Sequence, residues 1–261
     1  MASSRATGRQ RPSALSDGGA IERHKRAAAQ AAAEIVEDGM RVGLGSGSTV
    51  SYLLEALGER NLQEVSCAAT SPATERIART LGLKVRELDE LGELDLAIDG
   101  ADQIDPTGWL VKGGGGAQTR EKIVAVAARR FVVIASAEKA VRALAPPVPL
   151  ELMSFGVKGT LRRLAHARLR PQPSAASVST TGSASVSAAG SDTGSLDRWL
   201  QSPDGGLIAD YLGPVGDPRE LSARLSAVPG VIEHGLFAPE MVSLILIAGE
   251  DGVERRRGEK P

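Results

Sequence analysis

Aromatic residues, cysteine and an excess of charge of either sign are all scarce in this chain. Its 261 residues include only 2 Trp, 2 Tyr and 3 Phe, which leaves little surface for stacking nucleic-acid bases. The formal net charge is -1, so no overall field attracts nucleic acid or an anionic membrane. These absences argue against a nucleic-acid-binding protein, and any affinity for anions must come from local features.

Long apolar runs, disulfides and metal-ligand spacings are also absent from the sequence. No stretch reaches the roughly 18 consecutive apolar residues of a membrane span. The single cysteine, Cys67, excludes an internal disulfide, and its apolar surroundings favour a buried core thiol over a reactive one. His24, His166 and His234 lack the spacing of metal ligands and are interpreted as structural or surface residues. We therefore expect no metal, no cofactor and no membrane association.

The two ends of the chain are polar. Residues 1–19 contain three arginines and lack the apolar segment of a secretory signal peptide. A disordered tail with a cytoplasmic location is the simpler expectation, and an organellar transit peptide is the alternative. Residues 250–261 are charged and are predicted to form a frayed tail.

Short apolar strands alternate with helices through the first half of the chain. This alternation is typical of an α/β domain with a mostly parallel sheet, whose ligands bind at the carboxyl ends of strands. The predicted elements are helix 20–37, strand 40–44, helix 50–57, strand 64–69, helix 71–81, strands 83–87 and 94–98, helix 119–129 and strand 131–135.

The character of the sequence changes after the prolines at 146–149. The later pattern predicts a small α+β domain, with strands 150–153, 206–211 and 231–235, helices 157–165 and 217–227, and an apolar strand at 241–248 that returns to the main sheet. Residues 171–195 are rich in Ser, Ala, Thr and Gly, so a flexible insertion is predicted there. The expected division is a main domain over 20–147 and 236–254 and a second domain over 148–235.

Three polar motifs follow predicted strands, and the first is the glycine-rich turn at 43–49. Ser48 and Thr49 stand at the start of a predicted helix, where hydroxyls and free N–H groups suit a phosphate. A capped helix start without a ligand explains the turn equally well. The turn is not a Walker loop, because no lysine follows its last glycine at the required spacing.

The second motif is Asp99-Gly100-Ala101-Asp102, directly after an apolar strand. Two crowded carboxylates repel each other, so one of them can keep a proton near neutral pH and serve as an acid. Carboxylates also accept hydrogen bonds from sugar hydroxyls. An aspartate-capped turn and a Mg²⁺ site are the alternatives.

The third motif places Lys112 before four consecutive glycines, with Glu121 in the helix start that follows. Such a loop lets main-chain N–H groups approach an oxygen-rich ligand. Lys112 suits a phosphate or a developing oxyanion, and Glu121 suits proton transfer. A glutamate in a first turn also complements the helix dipole, but the glycines have no evident structural use and favour a function. Lys139, after strand 131–135, reaches the same crevice or is a solvated surface lysine.

Together, in this order and at these spacings, the three motifs resemble ribose-5-phosphate isomerase of the A type, over residues 21–254. Shorter segments at 136–139, 149–151, 229–231 and 235–238 are similar to the same family. The resemblance implies a Rossmann-like sheet with a smaller α+β, ferredoxin-like lid, and assembly as a homodimer or homotetramer. It also implies metal-free interconversion of D-ribose 5-phosphate and D-ribulose 5-phosphate through an enediolate.

The resemblance further implies roles for individual residues. Glu121 would be the base that shuttles a proton between C1 and C2, and Lys112 would stabilise the enediolate. Asp99 would move protons between the oxygens or open the sugar ring, and Asp102 would orient hydroxyls. The other substrate-binding positions would be Ser46, Gly47, Ser48, Thr49, Gly100, Ala101, Gly113, Gly114, Gly115 and Lys139, with Lys25 as a candidate for the phosphate.

The sequence departs from this family at several positions. Gln103, Gln118 and Ser154 replace an acidic residue, an apolar residue and a proline, respectively, and the insertion at 171–195 has no counterpart. A sugar-phosphate-sensing module of the same general fold is the main alternative function. Such a module would need a DNA-binding segment and would have no use for Glu121, so an enzyme is expected. Another transferase or isomerase on this fold is disfavoured by the combined motifs.

Overall fold

A seven-stranded sheet, parallel except at one edge, forms the centre of the molecule. The computed structural model describes residues 14–60, 62–164, 169–172 and 199–260. The sheet order is β14-β13-β7-β4-β1-β2-β3. Its strands are β1 (Arg41–Leu44), β2 (Ser66–Ala69), β3 (Lys84–Val85), β4 (Leu94–Gly100), β7 (Ala128–Ser136), β13 (Leu244–Gly249) and β14 (Gly252–Arg257).

Helices cover both faces of this sheet, as a mostly parallel sheet requires. Alternate residues of β7 point to opposite faces: Val132 and Ile134 join the apolar cluster that contains the first two helices, whereas Phe131 and Val133 join the cluster around the fifth. The helices are α1 (Ala14–Ala33), α2 (Ser48–Glu59), α3 (Pro72–Thr80), α4 (Leu88–Leu91) and α5 (Gln118–Ala127).

A second, antiparallel sheet has the order β11-β8-β10-β9. With its two helices it follows the chain order β-α-β-β-α-β, the arrangement of ferredoxin-like folds, so the expected fold class is confirmed. Its elements are β8 (Val148–Leu152), α6 (Val157–Arg163), β9 (Leu169–Pro171), β10 (Leu207–Tyr211), α7 (Pro218–Ser226) and β11 (Val231–His234). A small third sheet contains β5 (Gln103–Ile104), β6 (Leu110–Val111) and β12 (Leu236–Phe237).

The structure corrects part of two predictions about the ends of the chain. Helix α1 begins at Ala14, inside the segment predicted to be a disordered tail. Residues 252–257, predicted to fray, form β14, which pairs with β13 antiparallel. A strand at a sheet edge accepts charged side chains, which is why the polar sequence did not reveal it. Residues 1–13 and 173–198, which include most of the predicted insertion, lie outside the described residues.

Several shorter elements were also not predicted. Helix α4 and the strands β5, β6, β9 and β12 have two to four residues each, too few for a recognisable period. The proposed division of the chain into a main domain and a second domain stays a prediction. Among the described residues, none of the helices combines the length and apolarity needed to cross a membrane.

Candidate active site

The candidate site lies where the order of the central sheet reverses. From β1 the chain builds outward through β2 and β3 and then returns to the other side of β1 with β4. Ligands of such sheets bind at the carboxyl ends of the strands beside this switch point. The loop after β1 and the end of β4, which supplies Asp99, meet here, and Gly45 N–H donates to the Ile98 carbonyl over 2.9 Å.

Asp99 is buried and held by main-chain donors. Its Oδ1 accepts hydrogen bonds from Ser46 N–H at 3.0 Å and from Gly100 N–H at 2.7 Å. Position 45, which packs against the Asp99 side chain, must be glycine, because a Cβ on Gly45 would lie 1.9 Å from Asp99 Oδ1. The glycine of the first motif therefore makes room for the aspartate of the second.

Lys112 joins the second and third motifs. Its side chain is only 3% exposed, and its Nζ lies 2.9 Å from Asp99 Oδ2 and 3.1 Å from Glu121 Oε2. The same Nζ donates to the Gly100 carbonyl at 2.5 Å. Lys112 follows β6, and its N–H donates to the Gly235 carbonyl at 2.8 Å, which fixes its backbone.

Glu121 lies in the first turn of α5 and is buried. Ser46 Oγ donates to Glu121 Oε1 at 2.6 Å, so Ser46 binds one carboxylate through its N–H and the other through its hydroxyl. A buried set of two carboxylates and one ammonium is costly to fold, and such sets are typical of functional sites.

The surroundings shift the pKa values of Asp99 and Lys112. Burial, aided by the charge of Glu121 and opposed by Lys112, raises the pKa of Asp99 to about 7. Burial lowers the pKa of Lys112, but the carboxylates of Asp99 and Glu121 outweigh burial and raise that pKa above its ordinary value. The lysine therefore stays charged, while Asp99 gains and loses a proton near neutral pH.

One prediction about carboxylate crowding was wrong. The partner that crowds Asp99 is Glu121, from another element, and not Asp102 three residues along the chain. Asp102 is exposed, and its Oδ2 accepts a hydrogen bond from Gly114 N–H at 3.0 Å. Asp102 therefore belongs to the rim of the site, next to the glycine loop.

The glycine loop, residues 113–116, requires glycine at its two ends. Gly113 and Gly116 have φ angles of 95° and 75°, which other residues rarely adopt. A Cβ on Gly116 would also press against Ile208 and Leu200 of the second sheet region, at 3.1 and 3.3 Å. Gly115 has neither constraint, since a Cβ there would meet nothing within 4 Å. Glycine at 115 thus has no structural explanation in the described residues.

The loop after β1 leads into α2 without a side-chain cap. Gly47 occupies the N-cap with a φ of 92° and, as a glycine, has no side chain to accept from the first N–H groups of the helix. Gly47 and Ser48 are exposed, and Thr49 is partly buried. An uncapped helix start of this kind is available to an anion.

The two outlying lysines are not joined to this cluster. Lys25 pairs with Glu22 at 2.7 Å, and Glu22 also accepts from the Tyr52 hydroxyl of α2. Lys139 is partly buried in a short 3₁₀ turn after β7. Within the described part of the chain no contact links either lysine to Asp99, so their proposed roles stay predictions.

Sequence reasoning missed a buried carboxylate that ties α5 to the second sheet. The hydroxyls of Thr119 and Ser202 both donate to Glu151, which is buried in β8. Next to them, Arg120 makes a bidentate ion pair with Asp204, with both distances 2.7 Å. The only indication in the sequence was the segment 149–151, which resembles the family but to which no role was assigned. Through these contacts, the second sheet holds the helix that carries Glu121.

His234 and Cys67 have structural surroundings, whereas His166 lies outside the described residues. His234 is buried, and burial, aided by the charge of Lys122, lowers its pKa to about 4. Burial raises the pKa of Cys67 to about 12, as expected for an inert core thiol. Across residues 14–60, 62–164, 169–172 and 199–260, no group of three or more His, Cys, Asp or Glu side chains is placed to hold a metal ion.

Comparisons with known proteins agree with this geometry. The family model described as ribose 5-phosphate isomerase A (phosphoriboisomerase A) matches residues 66–252. The ribose-5-phosphate isomerase A of Roseiflexus castenholzii is 42% identical over 241 residues, which cover 88% of this chain and 93% of the relative. The protein of the same name from Methylorubrum extorquens is 43% identical over 237 residues, covering 87% and 92%.

Solved structures give the same result. The ribose 5-phosphate isomerase A of Neisseria gonorrhoeae has a TM-score of 0.76 at 28% identity and covers 91% of this chain and 97% of that one. A D-ribose-5-phosphate isomerase in complex with phospho-erythronic acid has a TM-score of 0.77 at 28% identity, covering 91% and 99%. With the motifs, the fold and these relatives in agreement, the chain belongs to the ribose 5-phosphate isomerase A family.

Proposed function

We propose that this protein interconverts D-ribose 5-phosphate and D-ribulose 5-phosphate without a metal, through an enediolate. The observation that carries the proposal is the buried cluster of Asp99, Lys112 and Glu121 at the switch point of the sheet. Such an isomerisation moves one proton between adjacent carbons and one between adjacent oxygens. It therefore needs a base near the carbons and a stabilised charge at the oxygens.

Glu121 is the proposed base. It takes the proton from C2 of the open-chain aldose, the electron pair forms the C1–C2 double bond of the enediolate, and the same proton returns to C1. The hydrogen bond from Ser46 Oγ to Oε1 orients the carboxylate and leaves Oε2 beside Lys112. Glu121 lies at the start of α5, where one end of the helix is tied to the buried Glu151 through Thr119.

Lys112 and Asp99 are the proposed groups at the oxygens. The lysine remains charged beside two carboxylates, so it stabilises the negative charge that develops on O1 and O2. The pKa of Asp99, raised by burial to about 7, suits a group that donates a proton to one oxygen and accepts one from the other. A similar exchange, which takes the proton of the O1 hydroxyl and gives one to the ring oxygen as the C1–O4 bond breaks, would open the furanose ring.

The phosphate is assigned to the loop after β1. Ser46, Gly47, Ser48 and Thr49 surround the uncapped start of α2, which favours an anion. Asp102 and the peptides of the glycine loop then line the sugar between this loop and Glu121. Lys25 and Lys139 lie outside the cluster of Asp99, Lys112 and Glu121. We propose that they make secondary contacts with the phosphorylated end of the substrate.

We further propose that the protein acts in the cytoplasm as a homodimer or homotetramer. Support for assembly comes from apolar side chains that remain exposed on a single subunit. Ile123 and Val126 lie on the outer side of α5, and Phe155, which follows β8, is 88% exposed. Ile123 and Val126 are three residues apart and therefore neighbours on the helix surface, and adjacent exposed apolar side chains are more typical of interaction surfaces than scattered ones. The sensing-module alternative has no support among the relatives, which are named as isomerases.

An isomerase assay with D-ribose 5-phosphate, in the presence and absence of EDTA, tests the proposal. We expect formation of D-ribulose 5-phosphate at the same rate in both conditions, because the proposed chemistry uses only side chains. Absence of turnover would contradict the assigned activity. Turnover that EDTA abolishes, and that an added divalent cation restores, would contradict only the metal-free mechanism.

A further inference from the structure

Gln118, the first residue of α5, has a side chain that the cluster described above does not use. It is 0% exposed, yet its amide Nε2 and Oε1 both lack a hydrogen-bond partner among the described residues. An amide buried without partners destabilises a fold, so its presence here needs an explanation. An apolar side chain would occupy this position without that penalty.

The buried amide lies against the first glycine of the glycine loop. A Cβ built on Gly113 would be 2.6 Å from Gln118 Cβ and 2.7 Å from Gln118 Oε1. The loop backbone at Gly113 therefore lies against the amide, where a small rearrangement of its peptide groups would bring a donor or an acceptor within reach. Gly113 follows Lys112 directly, so a shift of the loop is transmitted to the lysine.

The middle of the loop has few contacts that would oppose a rearrangement. Gly114 and Gly115 are exposed and carry no side chain. Two hydrogen bonds hold the observed conformation: Gly116 N–H to the Gly113 carbonyl at 2.9 Å and Gly114 N–H to Asp102 Oδ2 at 3.0 Å. The second of these is solvent-exposed, and Asp102 is the residue to which the proposed function assigns a sugar hydroxyl. A sugar that binds Asp102 would therefore compete with Gly114.

We propose that Gln118 is a positioning residue for the isomerisation: its amide hydrogen-bonds the glycine loop once the sugar has taken the Asp102 carboxylate. The loop has two arrangements, one on Asp102 without sugar and one on Gln118 with it. The second arrangement sets the loop peptides and Lys112 around the substrate. This inference rests on the proposed function, which supplies the sugar at Asp102.

The test compares two variants that each remove buried, unpaired polar atoms. Gln118→Met keeps the unbranched shape and removes the amide. Thr70→Val is the matched control, because Thr70 Oγ1 is also buried and unpaired but lies at the end of β2, outside the cluster. We expect both variants to melt at or above the wild-type temperature. Only Gln118→Met should lose kcat/KM, by about tenfold, the effect of one lost hydrogen bond.

Hydrogen exchange of the peptides that contain residues 112–117 gives a second readout. Phospho-erythronic acid should slow exchange of the loop in the wild type and in Thr70→Val, but much less in Gln118→Met. Wild-type kcat/KM together with unchanged ligand protection in Gln118→Met would overturn the inference. A wild type that binds phospho-erythronic acid but fails to convert ribose 5-phosphate would refute the proposed function instead, and the exchange comparison would still decide the role of Gln118.

Discussion

At the scale of single residues, the site is organised by one lysine shared between two carboxylates. Lys112 neutralises only one of the two negative charges. Because Asp99 is buried next to a second carboxylate, it retains its proton to a higher pH than usual. Ser46 binds the two carboxylates through different groups: it donates to Asp99 with its N–H and to Glu121 with its hydroxyl. Asp99 therefore titrates near neutral pH beside a second carboxylate, Glu121, which we propose acts on the carbon atoms of the substrate.

The raised pKa of Asp99 predicts how stability depends on pH. The folded state holds a proton that the unfolded state releases at a pKa of about 3.9, so this contribution is complete below that pH. It is lost as pH rises through the folded-state pKa of about 7. We expect the free energy of unfolding, measured with urea from about pH 5 to about pH 8, to fall more steeply in the wild type than in Asp99→Asn. Parallel curves would show that Asp99 is already ionised at the lower pH.

The sequence identified Asp99, Lys112 and Glu121 as candidates but not how they are paired. Chain spacing suggested that Asp99 and Asp102 crowd each other. In the structure β4 ends between them, so Asp99 turns into the cluster and Asp102 turns to the glycine loop. Neither Ser46 as the bridge between the carboxylates nor Glu151 as the anchor of α5 could be predicted, because both contacts join elements far apart in the sequence.

At the scale of elements, the candidate site is built from strand ends, a helix start and the loops that join them. The loop after β1, the end of β4 and the glycine loop converge because β1 and β4 are neighbouring parallel strands at the point where the sheet order reverses. Apolar runs and helix-start signals revealed most of the elements that bring these loops together. Elements of two to four residues and the charged strand β14 carry no such pattern and were not predictable.

Two glycine-to-alanine substitutions separate a structural need for glycine from a functional one. Gly45→Ala should abolish activity and destabilise the fold, because its Cβ would overlap Asp99. Gly115→Ala should keep the wild-type melting temperature, since its Cβ meets no protein atom within 4 Å. If the loop approaches the substrate closely, however, Gly115→Ala should raise KM. Unchanged kinetics for Gly115→Ala would mean that glycine at this position serves the motion of the loop and not its close approach to the substrate.

At the scale of the whole molecule, the second sheet supports the helix that carries the proposed base. Glu151 accepts from Thr119, Arg120 pairs with Asp204, and the strand pair β6–β12 connects Lys112 to the chain that leaves β11. The fold class was predictable from the alternation of elements and the resemblance. The contacts between the two sheets were not, because they depend on single polar residues in turns.

The long segment between β9 and β10 should be dispensable for catalysis. Its described ends already lie together, since Leu200 N–H donates to the Gln172 carbonyl at 2.7 Å and Gln172 N–H donates to Ile208 at 3.1 Å. We expect wild-type kcat/KM in a variant whose residues 174–197 are replaced by a short Gly-Ser linker. A shorter loop does not cost more entropy to close than a longer one. A folded variant with strongly reduced kcat/KM would mean that this segment contributes to the site.

The central claim is that Glu121 moves the proton between C2 and C1. Its most direct test is Glu121→Gln, which keeps the side-chain shape and the acceptor for Ser46 Oγ but removes the base. We predict that turnover of ribose 5-phosphate falls by at least about 10²-fold, the contribution of a general base, while calorimetry still detects substrate binding. Turnover close to wild type in this variant would contradict the account.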